Sequence, residues 1–167
     1  QLGLRLAYHD VMDPPAGYLD GAEIQFGNLC LRVEDDTRDV VLERFDLVSI
    51  RSLSPRDAFF KPVSWEVNVS VRRDWVAADE PRTFGELGLG GGWTWGLRET
   101  GQVYVMPRTE LRVGEFDASY SFAGGLTVGA WVHVGRVVQL GADVRALQFI
   151  AGERYEDISA NVHAGLG

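Results

Sequence analysis

Cysteine is almost missing from this chain of 167 residues: Cys30 stands alone. One thiol closes no disulfide within the chain, and no second cysteine or nearby histidine stands at metal-ligand spacing from it. Basic charge is also short, with 16 Lys and Arg against 24 Asp and Glu and a formal charge of -8. That balance argues against nucleic acid or anionic lipid as the main partner. Long hydrophobic runs are lacking. The longest stretch without a charged residue, Ala118 to Gly135, contains Ser119, Ser121, His133 and a Gly124-Gly125 pair, so it is no spanning helix. Gln1 is preceded by no initiator Met and followed by no basic, apolar and small-residue leader pattern. The expectation is a mature form or a segment of a longer chain.

The residues present are 46% hydrophobic and 24% charged, enough apolar surface for one ordered domain and too much for disorder. Period two dominates. Trp65, Val67, Val69 and Val71 alternate with Glu66, Asn68, Ser70 and Arg72, which is a strand with two unlike faces. The same alternation runs through Leu2 to His9, Glu86 to Trp95, Gln102 to Val113 and Phe116 to Phe122. It continues in Leu126 to Val134, Val138 to Ala146 and Ile158 to Leu166. Pro107 interrupts one strand by removing a ladder donor. Ala22 to Val33 changes phase near Gly27-Asn28, as a bulge would cause, and Val41 to Arg51 is apolar on parts of both faces. The reading is about ten strands, several long enough for the ~9–11 residues a tilted strand needs to cross a bilayer. Short Gly-rich or charged connections point to an antiparallel meander. Asp10 to Gly21, Ser52 to Pro62 and Asp74 to Thr83 are read as the longer ones.

Alternation alone does not say which face is inside. A soluble barrel turns its apolar face inward, and a membrane barrel turns it to lipid. Three features tilt the reading to the membrane. Gly88, Gly90, Gly92, Gly129, Gly141 and Gly165 lie on the polar face, where a crowded interior needs small residues and a solvated strand gains nothing from them. Tyr8, Trp65, Trp75, Phe84, Trp95, Phe116 and Phe149 fall toward strand ends, as an interfacial girdle requires. Arg5, Arg72, Arg108, Arg112 and Arg145 share the polar face with Glu66, Glu86, Glu110, Asp117 and Asp143, able to pair across a narrow lumen.

Chemistry-bearing groups are sparse. His9, His133 and His163 share the polar face and would need strand proximity to bind a metal or to act with Ser119, Ser121 or Ser159. No His-x-x-x-His pair or G-x-S-x-G turn supports them, and hydrogen-bonding histidines are the plainer reading. Gly85 to Gly92 lacks the following helix that a phosphate loop depends on. Asp10, Asp13 and Asp20 miss the EF-hand spacing. The segment around Pro55, Arg56, Asp57, Phe59 and Phe60 is the most unusual, two adjacent rings among charges between prolines. It reads as a plug or turn whose rings dock on the barrel rim while Arg56 and Asp57 satisfy backbone groups, or as a contact for a partner domain.

That loop, with Tyr8-His9-Asp10, Asp13-Pro14-Pro15-Ala16-Gly17-Tyr18 and Gly21-Ala22-Glu23-Ile24, resembles the C-terminal region of bacterial envelope proteins that carry an upstream Lnb-type lipoprotein N-acyltransferase domain. The likeness covers mainly residues 1 to 75. It implies a periplasmic domain with a thiol-hydrolase-like site upstream, joined to a largely β outer-membrane part, and no catalytic residue of that site falls on this sequence. The final Ala164-Gly165-Leu166-Gly167 departs from the terminal aromatic that such barrels present to their assembly machinery.

The expected fold is therefore all-β, an antiparallel up-and-down β-barrel of about ten strands across a bacterial outer membrane, one domain over residues 1–167. Its expected job is to anchor or scaffold a periplasmic domain of the same polypeptide. Its expected partners are that domain and outer-membrane lipid, without nucleic acid, and no cofactor or catalysis is assigned to this segment. Two alternatives stay open: a soluble barrel binding a small apolar ligand, and an outer-membrane lipid hydrolase using polar-face His and Ser.

Overall fold

Side chains alternate across a pleated strand, and the computed structural model carries that rule through eleven strands. The described residues are 2–4, 7–9, 22–33, 40–76, 80–97, 101–134 and 138–166, and no helix occurs among them. The strands are β1 (Leu2–Leu4), β2 (Ala7–His9), β3 (Ala22–Val33), β4 (Val40–Ser52), β5 (Pro55–Arg56) and β6 (Ser64–Val76). There follow β7 (Glu80–Gly96), β8 (Gly101–Gly114), β9 (Tyr120–Val134), β10 (Val138–Gly152) and β11 (Glu156–Leu166). Pairing passes from neighbour to neighbour in the order β1-β3-β4-β6-β7-β8-β9-β10-β11, with β2 also on β3. All of these pairs are antiparallel, and the sheet curls into a half-barrel. The exception is β5, which lies parallel to the end of β7, Pro55 opposite Thr94 and Arg56 opposite Trp95.

Two sequence ambiguities resolve as changes of face. In β3 the residues lining the interior are Glu23 and Gln25 before Gly27, then Asn28 after it; Gly27 sits at φ 62, the left-handed region glycine tolerates, while the pairing with β4 keeps its register across Gly27 and shifts only between Cys30 and Leu31. In β4 the inward set is Arg44 and Asp46, then Ser49 and Arg51. Its pairing with β6 skips Leu47 between Asp46 and Val48. One extra residue reverses every later side chain, which is why Val41 to Arg51 looks apolar on both faces. Pro107 stays inside β8, and the β7 ladder lapses opposite it between Gly90 and Trp93.

Two expectations are corrected. Asp74 to Thr83 is not a long connection, because Asp74, Trp75 and Val76 pair with Arg82, Pro81 and Glu80. Strand pairing needs only backbone geometry, and Pro81 costs nothing at a strand's beginning. The two remaining long connections, 10–21 and 53–63, then fall at the same end of the sheet, and the four connections at the other end span three to six residues. Phe116 to Ser119 is a turn and not the start of a strand: Ser119 N–H donates to the Phe116 carbonyl at 2.9 Å and Ser119 adopts φ 63.

Burial is inverted relative to a water-soluble sheet. Along β6, Ser64, Glu66, Asn68 and Ser70 are buried while Trp65 is exposed; along β7, Glu86 and Thr94 are buried while Leu87, Leu89, Trp93 and Trp95 are exposed. The concave face holds charge, and the convex face is apolar. The glycines follow from this. A Cβ on Gly88 would meet the Arg108 guanidinium, on Gly90 the Glu66 carboxylate stem, and on Gly129 the Tyr104 ring. They stand where large inward side chains cross.

Candidate functional site: the charged interior

Even-numbered residues of β8 face inward, so Arg108, Glu110 and Arg112 rise in one row; all three are at most 3% exposed. Buried charges must be paired, and these are. Arg108 bonds Glu66 on β6 and reaches Glu110 Oε2 from Nη2 at 3.2 Å. Arg112 binds Glu110 Oε1 at 2.6 Å, Asp157 of β11 at 2.7 Å and Glu86 of β7 at 3.5 Å. Arg51 of β4 joins Glu66 at 3.1 Å and Glu23 of β3 at 3.6 Å, while its Nη1 donates to the Tyr104 hydroxyl across the interior at 3.4 Å. Arg72 meets Glu86 at 3.2 Å. The network therefore ties β3 and β4 to β8 and β8 to β11, strands far apart in the sheet order.

Apolar clusters close the interior near both ends. Leu53, Tyr104 and Met106 pack with Trp131 on the side of the long connections. On the other side Phe84 and Phe116 form one cluster, and Ala123, Leu147 and Phe149 another, with Tyr155 against both. Phe149 stacks on Tyr155 at 4.1 Å between ring centres, and the Arg112 guanidinium lies 4.6 Å from the Phe149 ring and 5.0 Å from Phe84. Phe84, Phe116 and Phe149, expected in an outer girdle, thus point inward. Phe84 and Phe149 share the parity of Glu86 and Leu147, and a row of inward positions does not change face because one member is aromatic; Phe116 is brought in by the turn after β8 and packs on Phe84. Tyr155 receives Nη1 of Arg112 at 2.9 Å; burial pushes its phenol up, against the opposing pull of that cation.

The unusual loop is ordered by one side chain. Asp57 Oδ1 accepts the amides of Phe59 at 2.7 Å and Phe60 at 2.6 Å, and the Asp57 amide donates to the Phe60 carbonyl at 2.9 Å. Those two donors, Phe60 first, hold the Asp57 carboxyl below the usual carboxylate range. The rings do not dock on the rim: Phe59 is 90% exposed and Phe60 75%. An Asx turn of this kind satisfies backbone and leaves its side chains outside. Pro55 and Arg56 form β5 beside Trp95, so the loop extends the sheet near exposed Trp93 and Trp95.

The three histidines are not brought together as a described constellation. His133 is exposed on β9, edge-on to Trp131 at 5.0 Å. His9 lies in β2 and His163 in β11 opposite Gly141; their side chains, like the loop holding Asp10, Asp13 and Asp20, lie outside the described residues. Among the described residues no group of three His, Cys, Asp or Glu could hold a metal. The Ser121 hydroxyl is spent on the Glu153 carbonyl. Cys30 borders a cavity with Arg44 and Arg72. Arg51, Leu53, Tyr155 and Asp157 were not singled out by sequence; the parity break at Leu47 conceals the first, and the others sit at strand ends or in connections.

A family model described as a domain of unknown function (DUF7840) matches residues 1–166, and the chain belongs to that family. No curated protein and no solved structure matches it.

Proposed function

We propose that this chain is a transmembrane β-barrel of a bacterial outer membrane that anchors a periplasmic domain. One observation carries the reading: the buried face of the sheet is ionic and the exposed face apolar over β6 to β10. In water that arrangement exposes Leu87, Leu89, Leu126, Val128, Leu140 and Val144 at about 25 cal/mol for each Å² left wet. In a bilayer it reverses sign, because the apolar band meets hydrocarbon and the ladder satisfies the backbone. No helix among the described residues is long and apolar enough to cross a membrane. Strands β6 to β10 run 13 to 17 residues, beyond the ~9–11 a tilted strand needs.

Closure of the half-barrel belongs to this proposal. It is supported by a shared interior cavity whose walls include Glu23 and Gln25 of β3 and Ser159 and Asn161 of β11. The anchoring role is supported by the resemblance of residues 1 to 75 to envelope proteins with an upstream periplasmic domain. A soluble barrel for an apolar ligand needs apolar interior walls, and the wall residues here are predominantly polar and charged.

The test is detergent dependence. The chain is refolded with and without non-ionic micelles and followed by circular dichroism and gel mobility before and after boiling. Native β signal in micelles alone, with a mobility shift on boiling, is expected; a monodisperse folded protein in plain buffer would overturn the membrane assignment.

A further inference from the structure

We propose that the interior binds a small oxyanion, a carboxylate or phosphate-type group, on Arg145. The cavity holds about 290 Å³ and is lined from β3, β4, β6, β8, β10 and β11. That is room for such an anion with several waters, since a water's share of liquid volume is about 30 Å³. Four carboxylates stand on its wall, and each has a partner. Glu23 and Glu66 hold Arg51, Asp46 holds Arg44 at 2.6 Å, Glu66 also holds Arg108, and Asp143 accepts from Asn161 at 3.0 Å.

Arg145 is the exception. Its Nε is buried with no hydrogen-bond partner, and none of the ion pairs among the described residues includes it. A guanidinium does not discharge by losing its proton; Glu66, Glu110 and Glu86 attract this one across the interior but are bonded to other arginines, so its buried Nε–H is left for an acceptor from outside the chain. Its surroundings suit an oxygen-rich one. Thr127 lies directly opposite on β9 and Ser159 directly opposite on β11, positions whose Cβ atoms stand ~4.5–5.5 Å away. The Thr127 hydroxyl is buried and unpartnered, and Ser159 lines the cavity. A planar fork of N–H donors flanked by two hydroxyl donors matches the several acceptor oxygens of an oxyanion. Three of the four wall carboxylates are already paired with arginines, and Asp143 accepts from Asn161. The inference rests on the interior alone and stands whichever medium covers the outer face.

The 167-residue chain, in whichever medium folds it, is titrated with inorganic phosphate and separately with acetate, replacing chloride at fixed ionic strength. Calorimetry and the melting midpoint are both read. Saturable heat and a saturable rise in midpoint are expected for at least one anion. Arg145→Gln should weaken the apparent affinity about tenfold or more, the loss of a charge-assisted bond; Thr127→Val should weaken it less. Ser159→Asp, which sets a fixed carboxylate beside Arg145, should raise the midpoint without added anion and abolish the response. If Arg145→Gln does not fold, the Asp variant decides. A response that does not saturate, or one equal in all four proteins, would overturn the site, as would a Ser159→Asp protein that melts lower and still titrates.

Discussion

In the middle of the interior Arg108 and Arg112 bracket Glu110, whereas at the short-turn end Phe149 stacks on Tyr155 and Phe84 tilts against Phe116. Both arrangements sit on the same inward-facing rows: β7 runs from Phe84 to Glu86, and β10 from Asp143 and Arg145 to Leu147 and Phe149. Arg112 belongs to both, with one edge in the carboxylates and its face over two rings. The difference teaches how a charged interior is kept together. Ion pairs need low exposure to be strong, and that comes from the rings near one end and from Leu53, Tyr104 and Met106 near the other. The middle needs exact partners, while the ends need only volume.

That contrast predicts unequal sensitivity. Arg108→Met removes one of the two arginines held by each of Glu66 and Glu110, leaving Arg51 and Arg112 on them, and weakening two buried carboxylates at once should cost up to about 3–5 kcal/mol in denaturant unfolding. Adding Glu66→Gln and Glu110→Gln to it should restore much of the loss, because neutral amides no longer need the cation. Phe149→Leu keeps most of its volume and should cost about 1–3 kcal/mol. Equal losses for the two single changes would show that the ionic middle is solvated. The outer face gives the next largest effect. Val69→Arg should cost about 2–4 kcal/mol in lipid if β6 crosses the bilayer with that residue near its centre. Asn68→Arg, turned inward beside it, should be milder.

Glycine provides a smaller contrast of the same kind. Gly92 is buried, and an added Cβ would collide with the Val105 and Met106 backbone, while Gly91 next to it meets nothing within 4 Å. Gly92→Ala should cost about 1–3 kcal/mol, the range of overpacking. Gly91→Ala should change stability by less than about 0.5 kcal/mol, measured on the same unfolding curves.

The inward row of β8 was legible in the sequence because Tyr104 to Arg112 keep strict period two, and so were Glu66 and Glu86 as its partners on one face. The glycines at Gly88 and Gly90 were legible as space for neighbours, though which neighbours depends on register. Arg51 was not legible. Its parity is reversed by the bulge at Leu47, and a local backbone insertion leaves little trace in side-chain pattern. The inward rings were misplaced because proximity to a strand end resembles a girdle position; only parity, counted from Glu86 or Leu147, separates the two. Leu53 and Tyr155 lie in connections, where alternation does not apply. The outward turn at Phe59-Phe60 depends on a single carboxylate's choice between its own backbone and the rim, which residue types do not decide.

Tyr155 offers the finest test of the aromatic end, because it joins the rings to the ions through one hydrogen bond from Arg112. Tyr155→Phe keeps the stack on Phe149 and deletes that bond, so it should cost about 0.5–1.5 kcal/mol near neutral pH. Its pH dependence has a definite sign. Burial favours the neutral phenol in the folded chain, so the folded group titrates above the unfolded one. The corresponding stability is complete below the unfolded value, near about 10, and is lost as pH rises through the folded value. Unfolding curves across the alkaline range should therefore fall more steeply for the parent chain than for Tyr155→Phe. Parallel curves would mean that the phenol is already solvated, and that the rings at this end do not exclude water from the ion pairs they cover.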